Sequence, residues 1–315
     1  MMFQVLHAPT SVNRWTPLLR NANLPIRMSN TVLITGVSSG LGLETAILLA
    51  KRGFLVAGTM RDVSKRTELD RAATAAGVKI DVFAMDLTDT ASITRAVSEV
   101  LSKYGTIEVL VNNAGYQVRG FFEDTSDVEI RQQFETNVFG TMAVTRAVLP
   151  LMREKRSGRI VFVTSIAGRI GSVGLGPYSA TKFALEGLGE TLALELAPFN
   201  IRVSLVEPGI VNTSFWGGSL HVAAAAKSAA SPYHAYFNES EKLAEWAVKS
   251  SPIRPAHVAE AVYRAVSSKR PNRRYLVGSR PNALMLVRRF MPQEMFERMY
   301  EKAVTAKIMK APAKS

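Results

Sequence analysis

A doubly wound, parallel α/β sheet is the fold this sequence predicts, and three observations predict it. Short apolar runs recur without the in–out alternation of a half-exposed strand, so both sheet faces are expected to be covered. A helical segment separates each run from the next, which calls for parallel strands joined by crossovers. A glycine-rich turn (Gly36, Gly40, Gly42) sits at the first strand–helix junction. Right-handed crossovers then place helices on both faces, in a Rossmann-type arrangement.

The elements follow in order from Asn30. Thr31–Thr35 reads as a strand, the glycine turn opens a helix to Arg52, and Phe54–Thr59 is the second strand. A polar helix covers Ser64–Ala76, and a third strand, Ile80–Met85, ends at Asp86. Asp89–Tyr104 is a helix with an aspartate cap. Val109–Asn112 is the fourth strand, and Ser126–Arg153 reads as one long helix. Arg159–Thr164 is the fifth strand, Pro177–Leu196 a helix and Ile201–Val206 the sixth strand. After Gly209 the regularity lapses; helices are expected over 238–250 and 255–268, then a seventh strand, Arg274–Val277. This organises the chain as one catalytic domain over 30–280, a substrate-covering segment within it over 210–250, and a basic amphipathic tail from 281.

The chain has 315 residues, 47% hydrophobic and 21% charged, an ordinary core-forming composition. It has no cysteine, which removes disulfides and thiolate zinc sites and gives secretion no support. No apolar run approaches the roughly 18 residues that span a bilayer, and a cytoplasmic protein is expected. The net charge of +13 belongs to the ends: residues 1–29 carry three arginines and no acid, and residues 269–315 carry twelve Lys/Arg against three glutamates. A near-neutral body with basic ends does not resemble a nucleic-acid groove. For residues 1–29 a transit peptide, a membrane-contacting arm and a disordered extension compete, the last being favoured.

The chemistry gathers around Ser165 and Tyr178. A hydroxyl closes the fifth apolar run, a glycine-rich loop follows, and a helix opens with Tyr178 and Lys182 on one face, four residues apart. Of eight tyrosines only Tyr178 has a lysine at that spacing. A neighbouring ammonium favours the phenolate, so Lys182 is expected to lower the tyrosine pKa and equip it to exchange a proton with an alcohol or carbonyl. The turn Thr35–Gly42 is placed to bind a pyrophosphate: glycines let the backbone approach, and the helix N-terminus supplies N–H donors. After the second strand stands Met60-Arg61-Asp62. Arg61 offers a fork suited to a 2′-phosphate, which favours NADP(H) over NAD(H). Asp62 is either a ribose ligand or the cap of the next helix.

Taken together, these pieces resemble the short-chain dehydrogenase/reductase family over roughly residues 30–280. The matching residues are Thr35-Gly36-x-x-x-Gly40-x-Gly42, Asp86-Leu87, Asn112-Asn113-Ala114-Gly115, Asn137, Ser165, Tyr178-x-x-x-Lys182 and Pro208-Gly209-Ile210-Val211-x-Thr213. The resemblance implies that Tyr178 is the general acid/base and that Ser165 hydrogen-bonds the substrate oxygen. Lys182 would hold the nicotinamide ribose, and Asn137 would support a water-linked proton relay. Ser39 and Arg61 would hold the 2′-phosphate, Ser38 and Leu41 would bind the cofactor beside them, and Asp86 and Leu87 would flank the adenine. Asn113, Ala114 and Gly115 would line the cofactor cleft with Pro208, Gly209 and Val211, and Thr213 would meet the carboxamide. Met60 stands where NAD-preferring members often carry Asp. The nearest branch is the hydroxysteroid and retinol dehydrogenase-like one, and its members imply a homo-oligomer built on the helices around 126–153 and 178–197.

On the substrate side, Phe215, Trp216, Tyr233, Tyr236 and Phe237 either form an apolar lid over a hydrophobic carbonyl or alcohol, or merely anchor a long loop. His221 and His234 have no ligand-spaced partner, so no metal site is expected. Residues 283–300 are expected to pack beside the pocket or a neighbouring subunit, with peripheral membrane contact as the rival and disorder for the Lys-rich end. An NADP(H)-dependent oxidoreductase leads. A 3-oxoacyl thioester reductase and a catalytically inactive NADP(H)-sensing protein are the alternatives.

Overall fold

The computed structural model describes residues 31–212 and 220–309. Its apolar runs become β1 (Thr31–Thr35), β2 (Leu55–Met60), β3 (Ile80–Ala84), β4 (Val109–Asn112), β6 (Gly158–Val163), β7 (Ile201–Pro208) and β9 (Arg274–Val277). They form one sheet in the order β3-β2-β1-β4-β6-β7-β9, with every pairing parallel. The helices between them are α1 (Gly40–Lys51), α2 (Thr67–Ala76), α3 (Thr90–Tyr104), α4 (Asp127–Phe134), α5 (Thr141–Glu154) and α6 (Gly176–Glu195). Then come α7 (His234–Lys249) and α8 (Pro255–Ser267), and after β9 the tail forms α9 (Ser279–Phe290) and α10 (Gln293–Ile308).

The absence of alternation has the expected cause. Val32, Leu33 and Ile34 are all fully buried, yet they serve two cores. Val32 and Ile34 pack with Val258 and Val262 of α8; Leu33 packs on the other face with Val144 and Leu185. Strand order reverses between β1, which is followed toward β2 and β3, and β4, which leads toward β9. The strand C-termini flanking that reversal open a crevice, and the residues expected to bind a cofactor line it.

Local signals were accurate where the physics is local. Asp89 caps α3 by accepting from Ala91 N–H at 2.8 Å. Ser126 and Glu129 form a reciprocal capping box on α4.

The helix expected over 126–153 is a correction: α4 and α5 are joined by a π-helical turn, Glu135–Gly140. Gly140 is pressed onto Leu87, where a Cβ would come within 2.5 Å of the Leu87 carbonyl oxygen, and Asn137 is turned inward. Such wide turns are frequent at functional sites.

A second departure is a two-stranded pair that sequence reading missed. β5 (Gln117–Arg119) runs parallel to β8 (Leu220–Val222). Three residues are too few to show a period, and the partner is more than a hundred residues away. Among the described residues no helix is long and apolar enough to cross a membrane. The extension 1–29 and the Lys-rich end beyond 309 lie outside the described residues.

Candidate active site

Every described residue of the expected cofactor set lines one cleft of about 1230 Å³ at the strand C-termini. Thr213, expected at the carboxamide, lies outside the described residues. The phosphate turn is held from behind. Gly36 N–H donates to Thr59 O at 2.9 Å, and Asn113 Nδ2 donates to Thr35 O and Gly36 O at 2.9 and 3.0 Å. The Thr35 hydroxyl accepts from the N–H groups of Asn113 and Ala114, both at 3.0 Å. Gly36 adopts φ +72°, and a Cβ on Gly42 would stand 2.0 Å from Gly36 O, so the helix start rides directly on the turn. Ser39 makes no side-chain cap bond to α1, which leaves first-turn N–H groups uncapped by it and facing the cleft.

This cradle fits a dinucleotide pyrophosphate. Ser38, Ser39 and Arg61 line the cleft, whereas Asp62 does not. Asp62 is the helix cap: its Oδ1 accepts from Ser64 N–H at 3.0 Å and the Ser64 hydroxyl at 2.6 Å. Met60 is buried. Asp86 feels a raising effect of burial, outweighed by the Thr88 N–H and hydroxyl bonds and the Arg61 charge, which hold its carboxyl below the usual range.

Ser165 follows β6 in extended backbone and caps the short turn after it, its Oγ accepting from Ala167 N–H at 3.1 Å. Pro177 stands in the first turn of α6, where its missing N–H costs nothing. The helix then presents Tyr178 on the same cleft as Ser165, whose hydroxyl acts to lower the phenol's pKa. Lys182 is buried one turn further on; its Nζ donates to Val163 O at 3.0 Å and stands 5.6 Å from the Tyr178 ring centroid.

The expected lowering of the tyrosine is overturned here. Burial pushes the Tyr178 phenol up to about 12, and the Ser165 hydroxyl only partly offsets it. Burial also brings Lys182 down to about 8, against the pull of the Glu186 carboxylate. Desolvation thus decides the direction at both groups, and the Lys182 ammonium, 5.6 Å from the ring centroid, donates to a backbone carbonyl.

Asn137 sits behind the cleft rather than on its wall. It accepts from Tyr116 N–H at 3.0 Å and donates to Tyr116 O at 2.8 Å, tying the π-helical turn to the segment after β4. It also donates to Thr181 Oγ1 at 3.3 Å.

The substrate side is built largely by elements that the sequence left ambiguous. Leu243 and Ala244 of α7, Leu284 of α9, and Tyr300 and Val304 of α10 form its apolar wall. The tail therefore packs on the pocket. Tyr233 and Phe237 are anchors: Tyr233 stacks on Phe121 at 5.0 Å and its hydroxyl donates to Glu123 at 2.7 Å, while Phe237 is buried with Val118 and Ala223. Phe215 and Trp216 lie outside the described residues. Arg119 was missed altogether. Buried on β5 at the cleft, it pairs with Glu241 of α7 at 2.5 Å. No local signal marks that pair; an unusually polar three-residue strand was the only hint.

A family model described as short chain dehydrogenase matches residues 30–221. The chain is 38% identical over 275 residues to the oxidoreductase YusZ of Bacillus subtilis (strain 168), covering 86% of this chain and 96% of that one. It is 39% identical over 252 residues to retinol dehydrogenase 8 of Homo sapiens, covering 76% and 79%. The crystal structure of a short-chain dehydrogenase from Streptomyces avermitilis matches with a TM-score of 0.73 at 33% identity, covering 90% and 96%.

Proposed function

This chain belongs to the short-chain dehydrogenase/reductase family, and we propose that it is an NADP(H)-dependent enzyme interconverting a hydrophobic ketone or aldehyde with its alcohol. The observation that carries this reading is that Ser165, Tyr178 and the buried Lys182 line the same cleft as the glycine turn, with Lys182 Nζ 5.6 Å from the Tyr178 ring centroid. NADPH, when bound, supplies the hydride. In reduction, the Tyr178 phenol donates its proton to the substrate oxygen, and the Ser165 hydroxyl hydrogen-bonds the developing oxyanion. A phenol with its pKa at about 12 is fully protonated at neutral pH, which suits the role of acid. Lys182 supplies positive charge behind the phenol. Asn137 supports the proton relay by fixing Tyr116 and Thr181 in place.

The aliphatic wall from α7, α9 and α10 supports a lipophilic substrate, as does the similarity to retinol dehydrogenase 8. The deciding assay pairs NADPH and NADH with all-trans-retinal, a steroid ketone and a 3-oxoacyl thioester. Turnover of the lipophilic carbonyls is expected to dominate. A preference for the thioester favours the acyl reductase, and NADPH binding without any turnover favours a sensor. In the same assay Arg61→Ala should weaken NADPH about 10–100-fold, the value of one to two charge-assisted hydrogen bonds, and leave NADH nearly unchanged. Equal losses for both cofactors would show that Arg61 does not meet the 2′-phosphate.

Phe183 (44% exposed) and Leu194 (66% exposed) on α6 support a homo-oligomer through the α4–α5 and α6 face. Light scattering of the F183E/L194E double variant should give the protomer mass where the parent gives a multiple. An unchanged mass removes this face from consideration.

A further inference from the structure

Behind the catalytic helix lies a buried ion cluster that the reaction as described does not use. Glu186 follows Lys182 by one turn of α6 and is 5% exposed; Glu207 on β7 is 1% exposed. Arg274 on β9 bridges the two carboxylates through Nη1 and reaches Glu190 with Nη2 at 2.5 Å. Arg169, from the turn that starts at Ser165, binds both oxygens of Glu207 at 3.1 and 3.2 Å. The same turn is wedged onto the helix. A Cβ on Gly168 would stand 2.9 Å from both Glu186 Cγ and the Lys182 carbonyl oxygen.

The cluster thus joins the two segments that carry the chemistry, the Ser165 turn and the Tyr178–Lys182 helix. Buried carboxylates are costly unless paired, and removing one member leaves a buried charge uncompensated. Two buried carboxylates, Glu186 and Glu207, held by two arginines that reach partly to solvent, are not needed to close a sheet edge that apolar side chains would close more cheaply.

The electrostatics point the same way. Lys182, 6% exposed, has one carbonyl bond at Nζ and is driven toward its neutral form by burial. Among the described residues the charge opposing this is Glu186, whose own carboxyl is held above the usual range by burial, against the pull of Arg274. Further out stand Glu207 from β7, Arg274 from β9 and Arg169 from the Ser165 turn; Tyr178 is the titratable neighbour on its own helix.

We propose that Glu186 is a positioning residue, the countercharge that keeps the Lys182 ammonium in place beside Tyr178, and that Arg274 fixes it there by clamping it to Glu207. This rests on Tyr178 being the general acid/base, but the first readout below does not need activity.

The experiment follows Lys182 directly, by NMR of isotopically labelled lysine side chains in the full chain, the signal being assigned with Lys182→Met. In Glu186→Gln the Lys182 titration midpoint should move to lower pH by about one unit. The alkaline limb of reductive kcat/KM, measured with whichever panel carbonyl is turned over fastest, should move with it. Glu186→Asp should recover most of the parent midpoint, and Arg274→Lys, which keeps the charge but loses the fork, should fall between. Thermal melting is recorded for each variant. A midpoint in Glu186→Gln equal to the parent's, with only the melting temperature lowered, overturns the proposal and leaves the cluster purely structural. Should Glu186→Gln not fold, Glu186→Asp and Arg274→Lys carry the test, and unshifted midpoints in both overturn it equally. An enzyme inactive on every carbonyl but with a shifted Lys182 midpoint would refute the proposed function while sustaining the countercharge.

Discussion

Tyr178→Phe should lower kcat by about 10²–10⁴-fold, the usual share of a general acid, while NADPH binds nearly as in the parent. The geometry sets both halves of that expectation. In the proposed reaction the phenol hydroxyl gives its proton to the substrate oxygen, and Ser165 on the same cleft survives the change. The ring remains, still buried against Lys182, so the pocket keeps its shape. The pH response sharpens the test. Burial brings the Lys182 pKa down to about 8, and in the proposed reaction its ammonium is the charge that assists proton delivery. Reductive turnover by the parent should therefore fall as pH rises through about 8, well before the phenol itself ionises at about 12. Initial rates across pH, with cofactor affinity by fluorescence, check both statements. Substantial turnover by the phenylalanine variant would remove Tyr178 from the role.

The second large effect is expected at Gly42, where Gly42→Ala should weaken NADPH on the order of 10²-fold, as misplacement by about an ångström does. Its Cβ would sit 2.0 Å from Gly36 O and 2.5 Å from Asn113 Nδ2. Neither atom can yield easily, since Asn113 Nδ2 is bonded to Gly36 O and Gly36 N–H to Thr59 O. The helix must back away from the turn, spoiling the N–H cradle and costing about 1–3 kcal/mol in stability as overpacking does. Gly40→Ala is the control. Space there is open, and the cost is the strain of φ +59°, about 1 kcal/mol. Calorimetric NADPH titrations and melting curves separate the two variants. Equal affinities for Gly42→Ala and the parent would show that the turn does not carry the pyrophosphate.

Much of the cofactor half was legible because its signals are local. The phosphate turn, the Asp86 strand end and the Asn113–Gly115 run each lie within a few residues, and each depends on backbone geometry that only certain side chains permit. Tyr178 and Lys182 share a helical turn, so spacing alone placed them together. The Tyr178 pKa was misjudged for a reason that spacing cannot reveal. Desolvation depends on how completely the pair is buried, and burial is a property of the packed molecule. Asp62 likewise left two roles open until Ser64 was seen to occupy it.

The sequence by itself determined the doubly wound sheet, its strand order of events along the chain, and the residues at the mouth of the crevice. These follow from hydrophobic periodicity and turn chemistry, which act over one element at a time. Only the tertiary structure decided the rest. It brought Arg119 to Glu241 and Glu186 to Glu207 through Arg274, laid the tail helices along the substrate wall, and opened the π-helical turn that aims Asn137 at Tyr116. Each of these joins segments far apart in the chain, and a side chain carries no mark of a partner it meets only when the sheet has closed.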